Sequence, residues 1–291
     1  ANNPAAGYEH EAEFAPLKRA RTPHRVLVVG GGPAGLEAAR VAALRGHDVT
    51  LYERESQLGG AIRLAAAAPG RERLALAVDW LERQVRALEV TIRTEMDMTT
   101  EQIGQESPDA VIVAVGGLPG QQAGVRFHPN APLINPRQVM RGEVPATPGR
   151  AVVLDTLGDP VGMAVTEWLV ERGWQVEVVT SDMFVGQRLT ASLELTAWNQ
   201  RAAACGIVFR PQFDTLEVTE HGVIGADHFD HREIRLDEID LVVDVSPERP
   251  DETLYFALKA SGLRVFRAGD CVAPRYLSHA ILEGYRAGRE V

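Results

Sequence analysis

Residues 25–53 have the sequence RVLVVGGGPAGLEAARVAALRGHDVTLYE, and this stretch decides the fold. It begins with an apolar run typical of a buried strand. Three glycines then lead into residues 36–45, where alanine and leucine recur at helical spacing. Gly46 stands where such a helix ends, and Asp48–Glu53 is again strand-like. Strand, helix and strand within about 30 residues predict one βαβ unit.

The loop between the first strand and the helix carries the pattern Gly-x-Gly-x-x-Gly at Gly30, Gly32 and Gly35. In this context the first glycine permits a tight turn and the second lets the backbone approach a pyrophosphate. The third allows the helix to pack closely on the strand. Pro33 suits the first helical turn, where its missing N–H is not needed, and Ala34 follows it. We predict a dinucleotide site here, and a glycine turn that binds nothing is the alternative.

Glu53 ends the second strand and is predicted to bind the ribose of that dinucleotide. A carboxylate at this place accepts hydrogen bonds from both ribose hydroxyls, and it repels a 2′-phosphate. The site is therefore expected to take FAD, NAD or ADP rather than NADP. Arg54 follows directly and is included in the predicted site.

A second unit of the same layout follows a proline-rich passage at residues 129–148. Its predicted elements are the strand Ala151–Asp155, the helix Val161–Arg172 and the strand Gln175–Thr180. The connecting loop lacks Gly-x-Gly-x-x-Gly. Asp155 and Asp159 put negative charge where a pyrophosphate should bind, which opposes binding. A structural Rossmann-like domain is favoured here over a working NAD(P)H site.

The remaining segments complete an α/β pattern. Further helices are predicted over Arg71–Leu88, over residues 189–205 and from about Ser278. Further strands are predicted over Asp109–Val115, Ile239–Val245 and Leu263–Asp270, with short antiparallel strands over Val208–Leu236. The fold class is α/β with two Rossmann-like parallel-sheet domains, the second inserted in the first. The predicted bounds are an N-terminal arm at 1–23, a first domain at 24–145 plus 262–291, and a second domain at 146–261.

Composition excludes several classes of protein. A chain of 291 residues is long enough for about two domains. The net charge of −10 disfavours binding to nucleic acid, which requires a basic surface. The two cysteines, Cys205 and Cys271, form neither a disulfide framework nor a CxxC redox pair. Neither an 18-residue apolar stretch nor a signal peptide is visible, so we expect a cytoplasmic protein without membrane contact.

Other loops are weaker candidates for ligand contacts. Gly269 and Asp270 follow the last strand, where a carboxylate could lie near a ribityl chain or a pyrophosphate, although Gly-Asp is also an ordinary turn. Gly60 and Gly116 each belong to a pair of glycines that could admit a cofactor or simply bend the chain. The histidines in Asp227–His231 would face opposite sides of a strand, so no metal site is predicted.

Three stretches together resemble a known family. They are residues 26–60 (VLVVGGGPAGLEAARVAALRGHDVTLYERESQLGG), residues 109–117 (DAVIVAVGG) and residues 268–288 (AGDCVAPRYLSHAILEGYRAG). Over nearly its whole length the chain is similar to the C-terminal half of the trimethylamine dehydrogenase and 2,4-dienoyl-CoA reductase group. These are flavoproteins with two dinucleotide-binding folds. Members join this module to an FMN-binding TIM barrel and a 4Fe-4S cluster.

The resemblance implies an FAD- or ADP-binding electron-transfer module of a multi-cofactor oxidoreductase. FMN and the 4Fe-4S cluster would belong to a partner subunit or an N-terminal segment. The degenerate second loop is similar to that of the amine dehydrogenases, which pass electrons to an electron-transferring flavoprotein, and unlike that of the NADPH-dependent dienoyl-CoA reductases. An amine dehydrogenase or N-demethylase is therefore expected. A stand-alone NAD(P)H-dependent flavin reductase and a non-catalytic ADP-binding subunit are the alternatives.

Family positions also imply individual contacts. Cofactor contacts are implied at Gly30, Gly32, Gly35, Glu53, Gly60, Arg63 and Asp270. Met98 is expected to offer backbone contacts to adenine. Val115-Gly116-Gly117 stands where the family commonly has Ala-Thr-Gly. No residue of the chain is assigned to catalysis on the substrate.

Overall fold

The structure is a computed structural model that describes residues 3–291. It divides into two compact units. The first comprises the chain up to Ala66, Arg73–Leu118 and Arg249–Val291, and the second comprises Ala67–Glu72 and Pro119–Glu248. Each unit is therefore built from separate stretches of sequence, and the second unit interrupts the first.

The first unit is a five-stranded parallel sheet with helices; elements are numbered in chain order. Its strands are β1 (Arg25–Val29), β2 (Asp48–Tyr52), β3 (Thr91–Arg93), β4 (Ala110–Val113), β5 (Gly117–Leu118), β15 (Arg249–Pro250) and β16 (Val265–Arg267). Its helices are α1 (Pro33–Leu44), α2 (Ala61–Ala66), α3 (Ala75–Ala87), α4 (Thr100–Gln105), α8 (Thr253–Ala260) and α9 (Leu277–Glu290). The sheet order is β16-β4-β1-β2-β3, and β5 and β15 form a separate antiparallel pair.

The second unit contains a parallel sheet and an antiparallel one. Its strands are β6 (Arg126–Phe127), β7 (Leu133–Ile134), β8 (Arg150–Asp155), β9 (Gln175–Val179), β10 (Val208–Arg210), β11 (Phe213–Val218), β12 (Gly222–Asp227), β13 (Glu233–Asp237) and β14 (Leu241–Val245). Its helices are α5 (Pro136–Met140), α6 (Pro160–Glu171) and α7 (Leu195–Ala204). The sheets have the orders β10-β9-β8-β14-β7 and β13-β12-β11-β6. Two parallel sheets of this kind confirm the predicted fold class.

Several details differ from the sequence prediction. Residues 119–145 group with the second unit because β7 pairs with β14, and residues 249–261 group with the first because β15 pairs with β5. The predicted antiparallel run from Val208 begins instead with β10, which pairs in parallel with β9. Strand β3 and the short helices α2, α4, α5 and α8 were not predicted.

Strand β1 shows why the apolar runs become buried strands. Val26 and Val28 pack in the core on one face of the sheet, and Leu27 and Val29 pack in the core on the other. Alternate residues of a strand point to opposite faces, so a strand covered on both sides must be apolar throughout. Burying each such side chain contributes roughly 1.5–3 kcal/mol relative to leaving it exposed.

Helices α1 and α9 pack against each other through small residues. A Cβ on Gly284 would lie less than 3.0 Å from the Ala34 carbonyl oxygen, and a Cβ on Gly288 would lie 2.6 Å from the Ala38 carbonyl oxygen. The two glycines are four residues apart, as are the two alanines that they meet, so the helices run in the same direction. This close packing places the middle of α9, at Gly284, beside the first turn of α1.

Residues near the N-terminus also contact α9. The ring of Phe14 lies 5.6 Å from that of Tyr285, and the Arg286 guanidinium forms an ion pair with Glu13. The hydrogen bond from Arg286 lowers the pKa of Glu13. Within residues 3–291, no helix is both long and apolar enough to span a membrane.

His47 lies at the amino edge of the first sheet and is buried. Its Nδ1 accepts a hydrogen bond from the His24 N–H at 3.0 Å, and the two imidazole rings stack 5.5 Å apart. Burial lowers the pKa of His47, and the nearby positive charges of Arg45 and Arg264 and the ring of His24 lower it further. The folded protein therefore favours the neutral form of His47 more than the unfolded chain does.

Acid is expected to destabilise the first unit through His47. The unfolded chain protonates this histidine below about pH 6.5, whereas the folded protein binds that proton only at a lower pH, so the free energy of unfolding falls as the pH drops through that value. Urea unfolding at pH 7.5 and pH 5.5 measures the loss, and His47→Gln should show a smaller loss than the wild type. An equal loss in the two proteins would assign the acid sensitivity to other groups.

Candidate dinucleotide-binding site

Gly30 and Gly35 allow the loop after β1 to close tightly. Gly30 has a φ of +110°, and a Cβ on it would lie less than 3.0 Å from the Ala114 carbonyl oxygen. A Cβ on Gly35 would lie less than 3.0 Å from the Gly30 carbonyl oxygen. A side chain at Gly30 would push the loop away from Ala114, and one at Gly35 would push α1 away from the loop, so only glycine fits at both positions.

Gly32 faces open space instead. It is the N-cap of α1 in an extended conformation, and a Cβ on it would meet nothing within 4 Å. No side chain caps the helix, and no acceptor in residues 3–291 takes the N–H groups of Gly32, Ala34 or Gly35. Free N–H groups at the positive end of a helix dipole bind anions. The loop is therefore open to a phosphate group, and the N–H groups are free to bind it.

Glu53 is held beside this loop by two backbone hydrogen bonds. The Gly31 N–H donates to its Oε2 at 2.6 Å, and the Glu55 N–H donates to its Oε1 at 2.8 Å. Each carboxylate oxygen can accept a further bond. The carboxylate is buried, fixed in direction and able to accept two hydroxyl groups.

The turn after β2 covers the glycine loop. The Gly59 N–H donates to the Gly31 carbonyl oxygen at 2.8 Å, and the Leu58 side chain packs against Gly31. Gly60 has a φ of +52°, and a Cβ on it would lie 3.2 Å from the Gly32 Cα. Gly60 therefore lies close to Gly32, the loop residue at which a Cβ would meet open space.

Arg63 is engaged with protein groups. Its Nη1 lies 2.5 Å from Asp79, its Nη2 lies 3.4 Å from Glu82, and its Nε donates to the Leu58 carbonyl oxygen at 3.0 Å. Arg63 thus links α3 to the turn that covers the glycine loop. The Arg54 side chain, by contrast, is exposed.

The turn after β16 contacts the first turn of α1, which follows the glycine loop. Gly269 has a φ of +81°, a Cβ on it would lie 2.7 Å from the Ala34 Cβ, and its N–H donates to Glu283 at 2.8 Å. The next residue, Asp270, accepts a hydrogen bond from the Arg275 N–H at 3.3 Å. The last turn therefore closes the site beside the first turn of α1.

The structure does not bring all the predicted residues equally close together. Met98 has a buried side chain that packs in the core with Tyr52 and Ile103. Gly116 follows β4 with a φ of +85° and open space around it. The residues around the first turn of α1 are Gly30, Gly32, Pro33, Ala34, Gly35, Glu53, Gly60 and Gly269.

Cys271 packs beneath this region as an unreactive thiol. It is fully buried, and its Sγ donates to the Val113 carbonyl oxygen at 3.2 Å. Burial raises the pKa of Cys271 to about 11. Because the thiolate is the nucleophilic form, Cys271 is not suited to attack a substrate at neutral pH.

Two supporting residues were missed from the sequence. Glu283 accepts a hydrogen bond from the Gly269 N–H. Glu37 is a buried carboxylate in α1 that forms an ion pair with Arg40 at 2.7 Å. Burial raises the pKa of Glu37. Glu37 follows Gly35 by two residues, and an acid within an apolar helical stretch is the one signal that could have indicated it.

In the corresponding loop of the second unit, between β8 and α6, backbone N–H groups donate to two carboxylates of the loop itself. Asp159 is the N-cap of α6, and its Oδ1 accepts from the Val161 N–H at 2.8 Å. Asp155 Oδ1 accepts from the Gly158 N–H at 2.9 Å and the Leu157 N–H at 3.1 Å. Burial raises the pKa of Asp155 to about 6. The two carboxylates therefore take three N–H groups of this loop.

The histidines of the second unit pair locally. His228 Nδ1 lies 3.0 Å from Asp214, and both side chains are partly exposed. In the part of the chain that the structure describes, no group of three or more His, Cys, Asp or Glu side chains is arranged to hold a metal ion.

The chain is similar in sequence to one domain family and to several oxidoreductases. Residues 28–88 match the model of an NAD(P)-binding Rossmann-like domain. The chain is 31% identical to an N,N-dimethylglycine/sarcosine dehydrogenase from Chromohalobacter salexigens, over 90% of this chain and 43% of that protein. It is 30% identical to an NADH oxidase from Thermoanaerobacter brockii, over 99% of this chain and 44% of that one.

One solved structure is similar to the chain over nearly its whole length. The 6-hydroxypseudooxynicotine amine oxidase from Pseudomonas geniculata N1 superposes with a TM-score of 0.90 at 26% identity, over 99% of this chain and 45% of that one. Over nearly its whole length the chain is similar to these amine-oxidising and NADH-oxidising proteins. The predicted resemblance is thereby confirmed. The chain spans less than half the length of each of these three proteins.

Proposed function

We propose that the chain is the FAD-binding electron-transfer module of a multi-cofactor amine dehydrogenase or N-demethylase, with ADP as the alternative ligand. The observation that carries this proposal is the uncapped N-terminus of α1 beside the fixed carboxylate of Glu53. Together they form an anion site and a ribose acceptor, which are the two elements that an adenine dinucleotide requires. The amine-oxidising proteins to which the chain is similar support the substrate class.

The residues present fit such a cofactor. The N–H groups of Gly32, Ala34 and Gly35 would hold the pyrophosphate, and Glu53 would hold the adenosine ribose. We also propose contacts from Gly30, Pro33, Arg54, Gly60, Arg63, Met98, Gly116, Gly269 and Asp270. Bound FAD supplies a carrier for one or two electrons. The chain itself orients the cofactor and surrounds it with backbone dipoles.

Oxidation of the substrate is proposed to occur on another part of the enzyme. The proteins to which the chain is similar are more than twice as long as this chain. We propose that the additional part is a TIM barrel with FMN and a 4Fe-4S cluster, as a partner subunit or an N-terminal half. An electron-transferring flavoprotein is proposed as the electron acceptor. Neither nucleic acids nor membranes are proposed as partners. The proposed location is the cytoplasm.

A second candidate function is a stand-alone NAD(P)H-dependent flavin reductase. The NADH oxidase among the similar proteins favours it. The carboxylates that close the second loop oppose it, because a dinucleotide would have to displace them. Rapid flavin reduction by NADH or NADPH would favour this second function. A colourless protein that binds only ADP would favour a non-catalytic subunit.

Glu53→Gln tests the ribose contact. We expect ADP binding to weaken about tenfold or more, because hydrogen bonds to a charged acceptor contribute roughly 1.5–3 kcal/mol. ADP carrying a 2′-phosphate should weaken less, since its repulsion by the carboxylate is removed as well. Isothermal titration of nucleotide-free protein measures both affinities.

Glu101→Gln is the matched control for this experiment. Glu101 is an exposed carboxylate in the first turn of α4, so its replacement should leave ADP binding unchanged. A Glu53→Gln protein that melts like the wild type and binds ADP with unchanged affinity would refute the proposed ribose contact.

A further inference from the structure

The second unit contains a cavity of about 510 Å³. Its walls are formed by α6, by α7 with the residues that follow it, and by residues 69–71, which belong to the same unit. Sites for small organic molecules commonly enclose roughly 300–1,000 Å³. The proposed dinucleotide site lies in the first unit, so this cavity would serve a different ligand.

The base of the cavity is apolar. Met163 and Val170 of α6 and Ile207, which follows α7, line it. Met163 is buried in the core of the unit, and the other two side chains pack against that core. We call these three side chains the apolar base. It is held in place by the core and suits a hydrocarbon group of a ligand.

Two guanidinium groups line the same cavity. Arg71 Nη2 donates to Glu194 at 2.8 Å, and Arg201 Nε donates to Glu167 at 2.7 Å. Arg201 Nη2 also lies 3.8 Å from the Met163 sulfur. A guanidinium has five N–H groups, so each arginine keeps donors that no acceptor in residues 3–291 takes. Spare guanidinium donors of this kind bind carboxylates.

Three carboxylates balance these charges. They belong to Glu167, Glu171 and Glu194. Glu171 is exposed and forms no ion pair in the described part of the chain, and Glu167 has only one oxygen engaged there. Because three negative groups face two positive ones, a ligand that is only an anion would be repelled. A ligand that also carries an ammonium group would find acceptors.

We propose that this cavity binds a zwitterionic amino acid with an apolar side chain. The spare N–H groups of Arg71 and Arg201 hold its carboxylate. Glu167 and Glu171 hold its ammonium group, and the apolar base contacts its side chain. The inference goes beyond the proposed function, because it adds a second ligand in the unit that does not hold the dinucleotide.

Cys205 provides a reporter for binding. It is exposed at the end of α7 and lines the cavity, whereas Cys271 is buried. These are the two cysteines of the sequence. Iodoacetamide should therefore alkylate Cys205 selectively, and a ligand in the cavity should slow the reaction. The rate is followed by mass spectrometry of the full chain.

The test compares three probes that share one side chain. Phenylalanine is a zwitterion, phenylalanine amide is a cation, and N-acetylphenylalanine is an anion. We expect phenylalanine to protect Cys205 in a saturable way. Each of the other two should need at least about a tenfold higher concentration for half-protection, because each lacks one set of charge-assisted hydrogen bonds.

Substitutions then assign the two charges. Glu171→Gln and Arg201→Gln should each raise the phenylalanine concentration for half-protection at least about fivefold. Glu171→Gln should also improve binding of N-acetylphenylalanine, since one repelling carboxylate is removed. Each protein is compared with its own rate without ligand, because a charge near Cys205 also affects its reactivity. Glu220→Gln, in the exposed turn after β11, is the matched control and should behave as the wild type.

Three results would overturn the inference. The first is no protection by phenylalanine or by leucine. The second is equal protection by phenylalanine and N-acetylphenylalanine, which would leave the carboxylates without a role. The third is unchanged half-protection in folded Glu171→Gln and Arg201→Gln proteins. ADP affinity, measured on the same proteins, decides the proposed dinucleotide function separately.

Discussion

Gly35→Ala is expected to destabilise the first unit by about 1–3 kcal/mol or more, because overpacking of a close contact typically has an effect of that size and occasionally a larger one. The added Cβ would collide with the Gly30 carbonyl oxygen, which belongs to a loop with no flexible side chain to move aside. Relief requires α1 to shift away from β1, which would also loosen its packing on α9. Since whole domains are stable by roughly 5–15 kcal/mol, urea unfolding should show a large decrease in the midpoint.

Gly104→Ala is the control for this substitution. Gly104 lies in α4 with ordinary helical backbone, and a Cβ there would meet nothing within 4 Å. Alanine should stabilise that helix by up to about 1 kcal/mol. Equal unfolding midpoints for Gly35→Ala and the wild type would contradict the close contact between α1 and the glycine loop.

Gly32→Ala is expected to abolish nucleotide binding without unfolding the protein. Its φ of −72° suits alanine, and the added methyl group enters the open space in front of the loop. That is the space that a pyrophosphate needs in order to reach the free N–H groups. We expect the free energy of unfolding to change by no more than about 0.5 kcal/mol.

The measurement is ADP and FAD affinity by titration of the nucleotide-free protein. A weakening of at least about a hundredfold is expected, because the methyl group blocks several charge-assisted hydrogen bonds at once. Gly35→Ala should lose folding and binding together, whereas Gly32→Ala should lose binding alone. Normal affinity in Gly32→Ala would place the ligand away from the N-terminus of α1.

The strands and the long helices were predictable because they are apolar over several residues. The elements of the β1–α1–β2 and β8–α6–β9 units begin and end within one to three residues of their predicted bounds. The short helices α4 and α5 were not predicted because side-chain caps mark them rather than a periodic apolar pattern. Helix α4 has a capping box from Thr99 and Gln102, and α5 has one from Asn135 and Gln138 inside the proline-rich passage.

The unit boundaries depend on pairings that sequence does not encode locally. Strand β7 has only two residues, Leu133 and Ile134, and its partner β14 comes about a hundred residues later. Strand β10 resembles the hairpin strands that follow it, but it lies beside β9. Edge pairings of this kind follow from the packing of the whole sheet.

The site was predictable where a backbone requirement selects a residue type. Gly30 makes the tight turn and Gly35 the close contact between helix and strand that their spacing predicted, whereas the ribose contact of Glu53 remains a prediction. The contacts of Arg63 were not predictable, because its partners Asp79 and Glu82 lie on a helix that only tertiary packing brings near. Predicted cofactor contacts at Arg63, Met98 and Asp270 remain predictions.

Release of the bound nucleotide tests the central claim most directly. The absorption spectrum of the purified protein is recorded, the protein is denatured by heat, and the released nucleotide is identified by chromatography. Our account predicts flavin absorption and the release of FAD in a 1:1 ratio to the chain, both lost in Gly32→Ala. A protein that remains colourless and binds neither FAD nor ADP after saturation with each would contradict it.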